Sequence, residues 1–307
     1  MLKVRILENE GNFISDNITH YSCLKFNQAT SIFFPNKYKY KLVDKAEKAD
    51  ICIVGIQHED NDLLRHDEMN IFMTVENLSV DRHHYRHFNK FNRYNNDKID
   101  LYYYNDTKNV SQNTIPIPLC FIRQFVHLEK MYNHLYHDVL NTKFEDKKFC
   151  LFVSKNLLNN NKRKVYDEIW QYGKIDHITL YDDIIENKSC YNTIELLKIF
   201  NSYKFIICFE NSHTNDYVTE KLFNVFLSKS IAIYDGAPNI DNYVNNTSFI
   251  KYDKNYLKKM IILSKSKDLY ENFVNRPKIN SNINIEDFEN KLDFAFDLNL
   301  SKKKVST

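Results

Sequence analysis

The sequence predicts an α/β protein built from parallel sheets in two domains, and three observations carry that reading. Short apolar, strand-like runs recur from end to end between polar stretches of helical spacing, the alternation expected of strands and crossover helices. The chain has 307 residues, a length at which one core becomes awkward and two domains of roughly 150 residues are expected. One run, Phe205 to Phe209, is apolar throughout and stops abruptly at Glu210, Asn211 and Ser212, as a central parallel strand buried on both faces does.

Taken in order, Leu2 to Leu7, Tyr40 to Val43, Ile51 to Ile56, Ile71 to Val75 and Ile99 to Tyr104 read as strands of a first half. Phe125, Leu128, Met131, Tyr132 and Leu135 lie at helical spacing within Gln124 to Val139, which reads as a connector helix. The second half opens with the strand Phe149 to Val153, a basic helix from about Lys162 to Tyr172 and a strand near Ile175 to Leu180. A helix over Thr193 to Phe200, the strand Lys204 to Phe209, a helix over Tyr217 to Ser228 and the strand Ile231 to Tyr234 complete it. The expected division is an N-terminal domain with its connector over 1–140, a C-terminal domain over 141–300, and a disordered basic tail over 301–307. The two domains are expected to face one ligand across a central cleft, at the carboxyl ends of their strands.

Composition removes several function classes. Lys and Arg number 42 against 40 Asp and Glu, a net charge of +2, so no global field draws in nucleic acid or an acidic membrane face. Any anion site must be local. The lysines of the tail, Lys302 to Lys304, suit at most a weak membrane-surface contact. With four Gly in the chain, neither GxGxxG nor GxxxxGK[ST] occurs, which excludes the usual Gly-rich phosphate loops. Cys23, Cys52, Cys120, Cys150, Cys190 and Cys208 are scattered without a CxxC pair and read as buried free thiols of a reducing compartment. Met1 to Glu8 lacks the apolar region of a signal peptide, and no window approaches the roughly 18 apolar residues of a membrane helix. A soluble cytoplasmic protein without an integral membrane segment is therefore expected. His83 and His87 are spaced to share a helix face, but no nearby carboxylate or Cys completes a ligand set. Asp182 and Asp183 suit a helix amino terminus.

The chemistry concentrates after Phe209. Asp216 is placed to cap a helix whose first turn holds Tyr217, Val218, Thr219 and Glu220, and Leu222, Val225 and Phe226 form a stripe that faces the sheet. The unpaired N–H groups at that amino end, with the positive charge of Lys221, suit a diphosphate without a Gly-rich loop. Glu220 would repel that anion, so it suits sugar hydroxyls or a carbon that becomes cationic in the transition state. The bland alternative is a capped surface helix with Glu220 and Lys221 in solvent.

The string CFENSHTNDYVTEKL, Cys208 to Leu222, closely resembles the signature of the α-1,3-fucosyltransferases, glycosyltransferase family 10. The likeness continues more loosely through Gly236, Ala237, Pro238 and the triplet Ser248, Phe249, Ile250. The resemblance implies a GT-B type fold of two Rossmann-like domains, the first binding acceptor and the second binding nucleotide sugar. It also implies GDP-fucose as donor and inverting α-1,3/4 transfer, without a required metal, to a hydroxyl of an N-acetylglucosamine-containing glycan. Arg163 is similar to the family's phosphate-binding arginine, and a guanidinium fork suits a diphosphate, although its neighbours Lys162 and Lys164 leave the register open and a basic helix face in solvent is the alternative. Glu76, in IFMTVEN, resembles the residue that ends the family's catalytic-glutamate segment. Asn211 and Tyr217 align with donor-contacting positions, Lys221 with the diphosphate, and Glu220 with the donor's sugar hydroxyls and the developing oxocarbenium charge.

The chain departs from that family where it reads Leu227, Ser228, Lys229, Ser230, since relatives commonly have a Gly-containing turn there. The first half shows little likeness beyond the Glu76 segment. Two other readings fit the same scaffold: a GT-B transferase for another nucleotide sugar, and a catalytically silent sugar-nucleotide or glycan-binding protein.

Overall fold

The structure is a computed structural model and describes residues 1–7, 33–55, 63–73, 98–104, 113–135, 140–154, 160–172, 175–178 and 194–305. It divides into two compact units, one of Met1–Cys120, Thr214–Tyr217 and Asn284–Thr307, the other of Phe121–His213 and Val218–Ile283. This differs from the expected boundary at residue 140: the division falls inside the connector helix, and the carboxyl-terminal stretch groups with the first unit.

The first unit holds strands β1 (Leu2–Leu7), β2 (Tyr40–Leu42), β3 (Ile51–Gly55), β4 (Met69–Met73), β5 (Leu101–Tyr104) and β6 (Thr114–Pro116). They form a parallel sheet in the order β2-β1-β3-β4-β5-β6. β4 is buried along its whole length, as expected of a central parallel strand. Helix α1 (Ile117–Leu135) follows β6. Arg5 of β1 and Glu68, directly before β4, form an ion pair with both side chains fully buried, and Arg5 also donates to the carbonyl oxygens of Lys45 and Leu63.

The second unit holds β7 (Lys148–Val153), α2 (Asn160–Trp170), β8 (Ile175–Ile178), α3 (Ile194–Asn201), β9 (Tyr203–Phe209), α4 (Glu220–Leu227), β10 (Ile231–Asp235), β11 (Ile250–Lys251), α5 (Tyr256–Ser264) and α6 (Lys267–Val274). Its parallel sheet runs β11-β10-β9-β7-β8. Counted from its own first strand this is 2-1-3-4-5, the order with which the first sheet also begins. In both, chain direction reverses across the sheet beside the first strand, and ligands of open α/β sheets bind at the carboxyl ends of the strands flanking such a reversal. In the second sheet those strands are β7 and β9. Phe152, Phe205, Ile207, Ile231 and Ile233 pack under Val165 and Ile169 of α2 and under Tyr256, Met260, Tyr270 and Phe273 of α5 and α6.

The expected strands are present with ends shifted by a few residues. β6, β11, α5 and α6 were not expected. Nor was α7 (Ile285–Val305), which makes the supposed disordered tail helical as far as Val305. Its lysines are not a loose basic patch: Lys303 Nζ lies 2.9 Å from Asp100 of the first unit, and Phe296 meets Phe34 with ring centroids 5.4 Å apart. Cys52, Cys120, Cys150 and Cys208 are buried, and burial raises the Cys52 thiol to about 12. Cys23 and Cys190 lie outside the described residues. Among the described residues no helix is long and apolar enough to cross a membrane.

Candidate functional site

The site builds from the carboxyl ends of β7 and β9, which are direct neighbours with Phe152 in register with Ile207. β9 ends in Phe209, and Glu210 follows, its backbone N–H donating to the Asp235 carbonyl at 2.8 Å. That tie to the end of β10 holds a carboxylate inside the protein; the Glu210 side chain is 0% exposed. A buried carboxylate must be met by donors or positive charge, and α4 supplies both. The Thr219 N–H donates at 2.8 Å, the Thr219 hydroxyl lies 3.0 and 2.8 Å from the two oxygens, and Lys221 Nζ lies 3.2 Å away. Thr219 is the N-cap of α4, with φ −115°, but its hydroxyl does not close on its own helix. It closes on Glu210, so the start of the helix is anchored to the end of the strand.

Gly236 makes room for this. A Cβ there would stand 2.4 Å from the Tyr234 phenol oxygen and 2.6 Å from Glu210 Cγ. The buried Tyr234 hydroxyl accepts from the Ala237 N–H at 3.1 Å, and burial, with the Glu210 charge behind it, holds the phenol strongly protonated.

Lys221 is 33% exposed, and its ammonium is held by the buried Glu210 carboxylate. It also donates to Thr219 Oγ1 at 2.9 Å and stands 3.8 Å from Glu220 Oε1. A second cation comes from the helix after β7. Lys162 Nζ reaches Ser154 Oγ at 3.4 Å. Its pKa is lowered, first by burial and then by the charge of Lys221. Two lysines, one close enough to disfavour the charge of the other, at the amino ends of the helices after both switch strands, make a site that an anion would stabilise.

Of the residues expected at the site, the structure brings Glu220 and Lys221 together and leaves Asn211 exposed directly after Glu210. Arg163 sits on the outer face of α2, 61% exposed, paired with Asp167 at 3.0 Å. Tyr217 is buried. Glu76 lies outside the described residues, as do His83, His87, Asp182 and Asp183. Asp216 does not cap a helix. Its φ of 63° is left-handed, outside the extended region an N-cap adopts, and α4 begins at Glu220.

From the sequence, Lys162 reads only as a neighbour of Arg163 and Glu210 only as the end of its strand, with no role at the site for either. Lys162 lies three and seven residues before the buried Val165 and Ile169, so it shares their inward stripe, and that spacing was a readable signal. Nothing comparable marks Glu210, because a carboxylate after a strand is ordinarily solvated. The turn where relatives have Gly also finds its reason here: Lys229 has φ 57°, a conformation Gly adopts at lower cost.

Two parallel sheets of shared strand order, the second carrying paired lysines at its switch strands, define a GT-B type α/β protein. Residues 142–275 match the family described as glycosyltransferase family 10 (fucosyltransferase) C-term. Across 96% of the chain it is 24% identical to a protein of Acanthamoeba polyphaga mimivirus named as a fucosyltransferase. It is 32% identical over 128 residues to GDP-fucose protein O-fucosyltransferase 3 of Xenopus tropicalis, and 31% identical over 102 residues to the alpha-(1,3)-fucosyltransferase FucT of Helicobacter pylori. The chain spans about half of the mimivirus protein, 47%, and covers 26% and 20% of the other two, which align with 39% and 33% of this chain. A crystal structure of an α1,3-fucosyltransferase shares the fold, with a TM-score of 0.65 at 18% identity over 98% of this chain and 90% of that one. The same holds for an α1,3-fucosyltransferase with GDP-fucose, with a TM-score of 0.63 at 18% identity over 97% and 90%.

Proposed function

We propose that the chain transfers fucose from GDP-fucose to a hydroxyl of a glycan acceptor, with inversion, forming an α-1,3 or α-1,4 linkage. The observation that carries this reading is Lys221, held by Glu210 and Thr219 beside Lys162, within a segment that matches a fucosyltransferase family.

Lys162, Lys221 and the amino end of α4 receive the diphosphate. Lys162 takes the role expected of Arg163, whose guanidinium is engaged with Asp167 on the outer face. As the bond from C1 to the diphosphate breaks, negative charge grows on the leaving oxygen, and cations already in place stabilise it without reorganising. No metal is assigned; the positive charge comes from lysine. Asn211 and Tyr217 are proposed to contact the donor, Asn211 through its exposed amide. Glu220 holds the sugar hydroxyls and faces the oxocarbenium charge. Glu76 is the proposed base: it takes the acceptor's proton while the acceptor oxygen forms its bond to C1. Glu210 touches no substrate and acts by fixing where the Lys221 ammonium stands.

A hydroxyl of a protein side chain is the second reading of the acceptor, favoured by the 32% identity to GDP-fucose protein O-fucosyltransferase 3. The test is incubation with GDP-fucose and two panels, N-acetylglucosamine-containing oligosaccharides and folded protein domains bearing Ser and Thr. GDP release with a fucosylated oligosaccharide is expected. Fucose on the protein panel alone selects the second acceptor, transfer from another nucleotide sugar alone overturns the donor assignment, and GDP binding with no transfer makes the chain a binding protein.

A further inference from the structure

At the amino edge of the second sheet, away from Glu210 and Lys221, lies a cavity of about 620 Å³. Lys147, which directly precedes β7, lines it together with Glu145, Asp146, Lys148, Asp176 and Lys204. The Lys147 residue is 9% exposed, and its amine donates to the carbonyl oxygen of Asn201 at the end of α3.

The charges around this amine are arranged against an ammonium. Lys229 and Lys204 act on it, and both repel a cation. Two of the acids that line the cavity act on other groups. Asp176 is engaged 2.8 Å from Lys148 Nζ and 2.6 Å from the Tyr203 hydroxyl, and Glu145 acts on Lys204. Burial first, then the two lysines, push the Lys147 amine down to about 7, so a large share of it is unprotonated at neutral pH. A buried amine in that state is a nucleophile.

We propose that Lys147 is a carbamylation site, at which carbon dioxide entering this cavity adds to the Nζ atom. The nitrogen lone pair forms the N–C bond, one C=O π pair moves onto oxygen, and one proton leaves the nitrogen to water, giving a carbamate anion. The change reverses the electrostatics of the site. Lys204 and Lys229, which disfavour a positive charge on this side chain, favour a negative one. The carbamate nitrogen keeps one N–H, so the hydrogen bond to Asn201 survives. No other co-reactant is needed, and the site at the carboxyl edge of the sheet takes no part.

The experiment uses the full chain with ¹³C-labelled bicarbonate, followed by trapping with a trialkyloxonium reagent, digestion and mass spectrometry. Trapped label on the Lys147 peptide is expected, rising with dissolved CO2 at constant pH. It is lost in Lys147→Arg, whose guanidinium does not add CO2, and falls several-fold in Lys204→Met and Lys229→Met, which leave the amine in place. The wild-type mapping alone decides the case if Lys147→Arg fails to fold. Label confined to the Met1 amine or to exposed lysines, or no label at all, overturns the proposal.

Discussion

The carboxylate of Glu210 and the ammonium of Lys221 stand 3.2 Å apart, one fully buried and the other one-third exposed, with the Thr219 hydroxyl bonded to both. The acid belongs to the end of β9 and the other two to the start of α4, so the triad joins the strand to its crossover helix and aims a cation out of the sheet. Removing any member changes either the fit of the helix or the position of that charge.

Thr219→Val keeps the shape of the side chain and deletes the hydroxyl, leaving the buried Glu210 with fewer donors. A hydrogen bond to a charged group contributes roughly 1.5–3 kcal/mol. A loss of stability of that order is expected in urea unfolding, with Thr219→Ser restoring most of it.

Gly236→Ala places a methyl group 2.4 Å from the Tyr234 oxygen and 2.6 Å from Glu210 Cγ. Both neighbours are buried, so neither swings away freely. Overpacking of this kind costs about 1–3 kcal/mol, expected as a lower thermal midpoint together with weaker GDP binding, because the carboxylate that holds Lys221 is displaced.

Lys162→Ala and Arg163→Ala separate the inner and outer faces of α2. Loss of Lys162 is expected to weaken GDP binding about tenfold or more, since a charge-assisted contact to phosphate is at stake. Loss of the outward Arg163, paired with Asp167, is expected to change it less than about threefold, because exposed helix pairs contribute only tenths of a kcal/mol. Calorimetric titration of each variant with GDP reads the difference. Equal effects would return the diphosphate to Arg163.

Glu76→Gln is expected to lower kcat by about 10²–10⁴ while leaving GDP affinity within a factor of two, the signature of a lost general base. A parallel fall in donor affinity would place Glu76 in donor binding.

Lys147 makes stability depend on pH. Its folded pKa is about 7 against an ordinary 10.5, so between those values the unfolded chain binds more protons than the folded one, and stability rises with pH. The burial penalty is fully present below about 7. Lys278, pushed down to about 8 by burial, acts in the same direction. In CO2-free buffer, Lys147→Met is expected to flatten the rise of unfolding free energy between about pH 7 and 10, and Lys278 keeps it from vanishing. An unchanged slope would mean that Lys147 stays charged.

The sequence by itself determined the alternation of strands and helices, the buried run Phe205 to Phe209 and the placing of Lys221 at the start of a helix. Each of these rests on local periodicity or on a contiguous motif, and neither needs a distant partner. Tertiary structure decided the rest. Lys162 turns inward and Arg163 outward because Val165 and Ile169 bury one face of α2 against the sheet. Glu210 becomes an anchor because Tyr234 of β10 and Gly236, which directly follows that strand, close over it. The basic tail becomes part of a helix because Lys303 meets Asp100, about two hundred residues earlier in the chain. A side chain's charge is written in the sequence, but whether it faces water or another charge depends on which segments pack around it. That is settled by strand order and helix rotation, which no single stretch encodes.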